Sequence, residues 1–446
     1  MTIVPQKTGA DLPKQCDVLI IGGGPAGSSA AALLAKAGIE TVLLEKVRHP
    51  RPQVGESLIP HFWKYADQTG VSATLEAEGF VSKAGGITVW DGDIHRISFA
   101  EFGFDRPALH VERDVFDELL LRHAQSCGAQ VFESVVAKQI NLGATFPSIE
   151  YLDKRDSAMT VRNRIDCRYV LDASGFHALL GNQLKNKRDV NARHRFMSLW
   201  GYFNHAQYFA GDGKSYPADQ IQTVKPVTFV SSFNEGWVWH IPLRQTTSVG
   251  LVLETDKAKG MDYQQREQFF LSTCAQVPYL NQLLKQACYQ SHSLSARPDY
   301  SYYVSPLCGE NYYCIGDSGG FVDPIFSHGV LNAFYTSALA ALAVCESLKY
   351  PAQGQRYAQI CENRIRQFYS FSRALSLGDF NVNGADFKLI SGFMRSVPGQ
   401  ELELMLAASQ ITHRAGNFRK LIEAAGLIEK YGQIQDKACL IEALVV

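Results

Sequence analysis

The chain predicts an α/β protein in which a sheet of parallel strands is interrupted by a second, β-rich sheet and followed by helices. Three observations carry this prediction. A short β-branched run from Asp17 to Ile21 leads into Gly22-Gly23-Gly24-Pro25-Ala26-Gly27, and then into an alanine-rich stretch with helical spacing. Segments between residues 196 and 254 alternate or run apolar, as strands do. Residues 353–446 return to helical spacing, with amphipathic stretches at Tyr357–Leu375, Gln400–Ala415 and Phe418–Glu429.

The opening unit reads as strand, glycine turn, helix and second strand. Gly22 permits the tight turn, Gly24 lets backbone approach a pyrophosphate, and Gly27 lets the helix pack against the strand. The helix N-terminus then points amide donors at the phosphates. The second apolar run closes on Glu45. A carboxylate there accepts hydrogen bonds from a ribose diol and repels a 2′-phosphate, so the expected ligand is FAD or NAD and not NADP.

Composition narrows the partners. At 446 residues, with 46% hydrophobic and 20% charged residues, the chain is ordinary globular protein with room for two or three substructures. The net charge of −1 suggests neither a nucleic-acid footprint nor a membrane-seeking surface. The ten cysteines are scattered, with no CxxC pair and no histidine spacing suited to zinc, so no metal is expected and free thiols in a cytoplasmic setting are the reading. Residues 1–15 lack the basic and apolar regions of a signal peptide and read as a loose leader. The apolar stretch around Leu339–Val344 is too short to span a bilayer.

After Glu45, prolines through Pro52 impose a loop beside whatever the first unit binds, and a helical pattern is expected from about Ser57. Lys83 stands just ahead of the strand-like Ile87–Trp90, which with His95–Phe102 begins a second sheet. Arg113 opens a helix with Phe116, Leu119 and Leu120 on its apolar face, and Gly128 ends it. A cation at a helix start opposes the dipole, so Arg113 is a candidate ligand contact. The run 167–175 is another buried strand, ending in Asp172-Ala173-Ser174-Gly175. Four strands follow between 196 and 254, with Asn234-Glu235-Gly236 as a hairpin turn. Gly316-Asp317 restores the strand–glycine-turn style and is expected to complete the first dinucleotide site, ahead of an apolar helix over 330–348.

Three pieces together, the glycine turn with Glu45, Asp172–Gly175 and Gly316-Asp317, resemble the FAD-binding layout of the aromatic hydroxylase and geranylgeranyl reductase class of flavoproteins. The implied architecture is a Rossmann-like FAD-binding domain (15–82, 106–195 and 300–352), an inserted β-sheet substrate domain (83–105 and 196–299) and a C-terminal helical region (353–446). On this resemblance Gly22, Gly24, Ala26, Gly27, Glu45, Lys46, Arg113, Val136, Asp317 and Gly329 would hold FAD.

Two further motifs resemble the signatures of flavin-dependent halogenases. Trp237-x-Trp239-x-Ile241-Pro242 is similar to their WxWxIP, and Phe321-x-x-Pro324-x-x-Ser327-x-Gly329 to their FxxPxxSxG. Lys83 resembles the lysine these enzymes keep at the far end of the tunnel from flavin to substrate. The resemblance implies that FADH2, supplied by a separate flavin reductase, and O2 oxidise chloride or bromide to hypohalous acid, which reaches Lys83 beside an electron-rich aromatic. The backbone amides of His328 and Gly329 would bind halide. Trp237, Trp239, Pro242, Phe321, Pro324 and Ser327 would keep flavin and substrate apart. One departure is Phe326, which stands where enzymes acting on free tryptophan carry a glutamate. The substrate then has to be activated already, as in the branch that halogenates phenols and pyrroles, free or carrier-tethered. Two other readings stand beside this one: a flavin monooxygenase of a similar aromatic, and an inactive flavin-fold scaffold.

Overall fold

The computed structural model describes residues 11–376, apart from 91, 103, 144–145, 157–159 and 190–194. The second and third amphipathic stretches near the C-terminus lie outside these residues.

The opening segment forms β1 (Gln15–Ile21), α1 (Pro25–Lys36) and β2 (Thr41–Glu45). The expected helix at Ser57 does not form. Residues 56–58 run extended, Ser57 bridges to His110, and the helix α2 begins only at Phe62 (Phe62–Thr69). The cause is tertiary: the Leu58 amide donates to the Leu109 carbonyl and the Val111 amide to the Glu56 carbonyl, pairing the segment across the fold. Lys83 ends a short strand β3 (Val81–Lys83), and β4 (Gly85–Trp90) and β5 (Asp93–Ser98) follow as a hairpin. Next come β6 (Ala108–His110), α3 (Arg113–Ser126), β7 (Gln130–Glu133), β8 (Val135–Asn141), β9 (Ser148–Asp153) and β10 (Val161–Asp172). The later strands are β11 (Phe196–Asn204), β12 (Val227–Phe233), β13 (Gly236–Pro242), β14 (Thr246–Glu254) and β15 (Tyr312–Cys314). Two long helices close the described chain, α4 (Gly329–Lys349) and α5 (Gly354–Ser376), the second over the first expected amphipathic stretch.

Two large sheets result. One carries the parallel order β15-β10-β1-β2-β7, extended by the antiparallel ribbon β8-β9. Its strands are buried and apolar, as parallel strands covered by helices must be. The other runs β11-β14-β13-β12-β4-β5 and alternates between two apolar layers. Val238 packs in one layer, while Trp237, Trp239 and Ile241 pack in the other, because successive strand residues face opposite sides. Asn234 and Glu235 make the β12–β13 turn, and Gly236 is already the first residue of β13.

A small ribbon joins the two halves: β3 pairs with β6, setting Lys83 opposite Ala108. Helix α4 is apolar and long enough by composition to cross a bilayer, longer than the run around Leu339–Val344 suggests by itself. It is nonetheless a core helix, packed against α1 with most of its surface covered.

Candidate active site

The glycine turn is built to hold backbone where side chains cannot go. Gly22 has φ +107°, and a Cβ there would lie 2.4 Å from the Ala173 carbonyl oxygen. A Cβ on Gly27 would lie 1.9 Å from the Gly22 carbonyl oxygen. The strand end, the turn and Asp172–Gly175 are therefore packed backbone on backbone. Helix α1 starts at Pro25 with no side-chain cap and no acidic residue in its first turn, which leaves its field positive toward an anion. Gly316 sits against this helix start: a Cβ there would be 2.8 Å from that of Ala26. The Gly316-Asp317 turn thus meets the glycine turn, where the sequence places it.

Glu45 is buried at the end of β2, and its two oxygens accept from the amides of Gly23 (2.6 Å) and Val47 (3.0 Å). Each oxygen keeps lone-pair capacity for a diol. The arrangement fits a dinucleotide with a free ribose, and the acid also holds the turn through the Gly23 amide. Glu45→Ala is expected to weaken FAD binding by roughly 1.5–3 kcal/mol, and Glu45→Gln by less because one acceptor oxygen remains. Fluorescence titration with FAD measures both, and unchanged affinity in both would assign Glu45 to the turn alone.

The remaining expected FAD contacts separate. Lys46 is exposed directly after Glu45, and Val136 is half-buried on β8, which packs beside β2. Arg113 has protein partners of its own. Its guanidinium is held by Asp117 one turn on (2.8 and 3.1 Å) and donates to the carbonyls of Val54 (2.8 Å) and Gly55 (3.3 Å). The Asp117 carboxylate, and not a ligand alone, makes a cation tolerable at this helix start. Burial pushes the carboxyl of Asp317 up to about 6, while Arg113 and Arg297 pull the other way. Arg51 was not foreseen: its side chain approaches Gly24 and pairs with Asp117 at 3.4 Å, placing a partly exposed cation beside the glycine turn. A loop arginine has no local signature, which is why the sequence did not single it out.

The halogenase-like motifs converge. Trp237 and Trp239 lie on one face of β13 with ring centroids 5.9 Å apart, and Phe321 and Ile325 pack against their cluster. Phe321 and Ile325 thereby seat this part of the second signature on Trp-x-Trp. Asp323 accepts from the Ile325 amide (2.9 Å) and opens the short turn Pro324–Phe326. Ser327 takes a left-handed φ of +54°, and His328 then forms the N-terminal boundary of α4 without a side-chain cap. An αL–αR sequence at a helix start is the geometry of an anion nest, in keeping with a halide at His328 and Gly329.

Lys83 is 4% exposed, and its Nζ donates to Ser57 Oγ (2.8 Å) and the Leu58 carbonyl (3.0 Å). Burial with no carboxylate to offset it brings its pKa down to about 7. Ser57 Oγ also lies 3.1 Å from Ser327 Oγ and 2.8 Å from Thr228 Oγ1. Thr228 in turn meets His110 Nε2 (2.9 Å), and His110 Nδ1 meets the Pro242 carbonyl (3.0 Å). One hydrogen-bonded chain therefore joins Lys83 to one residue of each signature, Ser327 and Pro242. Beside it, Glu56 is buried, accepting from Tyr202 Oη (2.8 Å) and the Gly55 amide (3.1 Å), and burial raises its pKa. Ser57, Thr228, His110 and Glu56 were not among the expected site residues.

A Rossmann-like dinucleotide turn, beside a second β-sheet that faces a buried lysine of lowered pKa, fits a dinucleotide-dependent enzyme. The FAD binding domain family matches residues 15–332. A tryptophan 2-halogenase of Chondromyces crocatus is 33% identical over 335 residues, which cover 75% of this chain and 62% of that protein. The 1H-pyrrole-2-carbonyl peptidyl-carrier-protein chlorinase of Pseudomonas fluorescens is 31% identical, over 80% of this chain and 82% of that one. The crystal structure of CmlS, a flavin-dependent halogenase, matches with a TM-score of 0.72 at 25% identity, over 92% of this chain and 70% of that one. The chain belongs to the flavin-dependent halogenases.

Proposed function

We propose that this chain catalyses the FADH2- and O2-dependent chlorination or bromination of an electron-rich aromatic such as a phenol, pyrrole or indole. The observation that carries the reading is Lys83: a buried amine, unpaired with any carboxylate among the described residues, tied through Ser57 to Ser327 of the second signature. Bound flavin would supply, with O2, the oxidant that turns halide into hypohalous acid. The turn at Gly22–Gly27, Glu45, Arg51 and Asp317 would hold that flavin. The N-terminus of α4 at His328 and Gly329 would hold the halide. The apolar layer of Trp237, Trp239 and Phe321 would exclude water and keep the aromatic from the flavin. Lys83, neutral over a substantial fraction of molecules near pH 7, would meet hypohalous acid as a nucleophilic or hydrogen-bonding amine.

Phe326, in place of a carboxylate, favours substrates already activated at carbon. The carrier-tethered substrate named for the Pseudomonas relative is a second form in which such an aromatic would arrive. The chain would work in the cytoplasm, where its cysteines stay reduced, with a separate flavin reductase as partner. The expected result is halogenated product when the protein is combined with a reductase, NADH, FAD, halide and a panel of free and carrier-loaded phenols, pyrroles and indoles, read by mass spectrometry. Without the reductase, NADH and NADPH oxidation should stay at background. Rapid oxidation by the pure protein, with hydroxylated and not halogenated product, would overturn the reading.

A further inference from the structure

The hydrogen bonds around Lys83 assign every proton in the chain. His110 Nδ1 faces the Pro242 carbonyl, which only accepts, so Nδ1 carries hydrogen. The imidazole is fully buried, and desolvation holds its pKa well below the ordinary value, so the ring is neutral and Nε2 is bare. Thr228 therefore donates to Nε2. With its single hydrogen used, Thr228 accepts from Ser57. The Ser57 hydrogen is then used as well, and its two lone pairs accept from Lys83 Nζ and from the Ser327 hydroxyl. Lys83 also donates to the Leu58 carbonyl. A neutral amine has two N–H groups, and both are engaged, which leaves its lone pair turned away from Ser57 and Leu58.

We propose that His110 and Thr228 are positioning residues: by directing every hydroxyl proton away from Lys83, they keep the lone pair of its neutral amine unmasked. The inference rests on the reading of Lys83 as the amine that meets hypohalous acid. Thr228→Val removes the acceptor for the Ser57 proton at equal volume. Ser327 is oriented to donate to Ser57 and not to accept from it, so that proton turns to the nearer lone pair, on Lys83 itself at 2.8 Å, and masks it. Thr228→Ser keeps the hydroxyl and the proton order.

The test uses full-length protein with FAD and needs no aromatic substrate. Carbamylation by cyanate, a small amine-selective reagent, is followed at Lys83 by peptide mass spectrometry and normalised to the exposed Lys259. Thr228→Val should slow Lys83 at least tenfold, and Thr228→Ser should stay within threefold of wild type. A merely structural loosening would speed the buried lysine instead. In the coupled assay Thr228→Val should lower kcat for halogenated product 10- to 100-fold with KM within threefold. Should Thr228→Val not fold, His110→Leu frees the Thr228 proton and should slow Lys83 in the same way. Equal or faster carbamylation in the folded variant, or a serine variant as slow as the valine one, overturns the inference. A wild-type protein that makes no halogenated product while the carbamylation pattern holds would instead sink the halogenase reading.

Discussion

Replacing Lys83 by alanine is expected to lower halogenation by about 10²–10⁴-fold while leaving the fold, FAD binding and reduced-flavin consumption intact. The oxidant should then appear as free hypohalous acid or peroxide, caught by an added scavenger. Lys83→Arg should fail too, because a guanidinium stays protonated and offers no lone pair. Product from Lys83→Ala at the wild-type ring position, insensitive to scavenger, would sink the lysine mechanism. The same burial makes a stability prediction with a definite sign. With a folded pKa of about 7 against an ordinary 10.5, the unfolded chain binds the extra proton between these values. Lys83 therefore lowers stability most below pH 7, and the penalty fades as pH rises toward 10.5. Lys83→Met should stabilise the protein at pH 6, and the gain should shrink by up to about 1.4 kcal/mol for each pH step between about 7 and 10.5. Denaturant unfolding across pH measures this, and a gain independent of pH would contradict it.

Gly27→Ala is the second large effect. The added methyl would stand 1.9 Å from a backbone carbonyl oxygen that has no rotamer to change. Either α1 shifts off β1 or the Gly22 turn opens. A loss of roughly 3 kcal/mol or more is expected, together with loss of bound FAD. Gly143→Ala, where a Cβ meets nothing within 4 Å, is the control and should stay within about 0.5 kcal/mol. Denaturant titration and flavin retention after gel filtration read both variants, and FAD retained by Gly27→Ala at wild-type stability would contradict the packing argument.

Local chemistry made much of this chain legible. The glycine spacing, the apolar run on each side and Glu45 all lie within one βαβ unit, so the turn, helix and acid follow from neighbours in sequence. Alternation along Gly236–Pro242 likewise dictates that Trp237 and Trp239 share a face. Gly316-Asp317 was legible as part of the same site because the sequence carries no second complete βαβ fingerprint for it to belong to.

The environment of Lys83 was decided by tertiary structure. Helical spacing from Ser57 onward was read correctly only from Phe62, because the residues before it find strand partners at 109–111. That pairing turns Ser57 into the centre of the network, next to a serine 270 positions away and a threonine 171 positions away. No period or spacing connects such residues, and Thr228 and His110 in isolation read as ordinary strand positions. Arg113 shows the same limit: its place at a helix start was visible, but which of its donors Asp117 and the loop carbonyls would take was not. Periodicity determined which faces are apolar and where backbone turns tightly, since both depend on residues a few positions apart. Hydrogen-bond direction, desolvation of Lys83 and the meeting of the two signatures depend on strand pairings across the chain, and only the folded packing sets those.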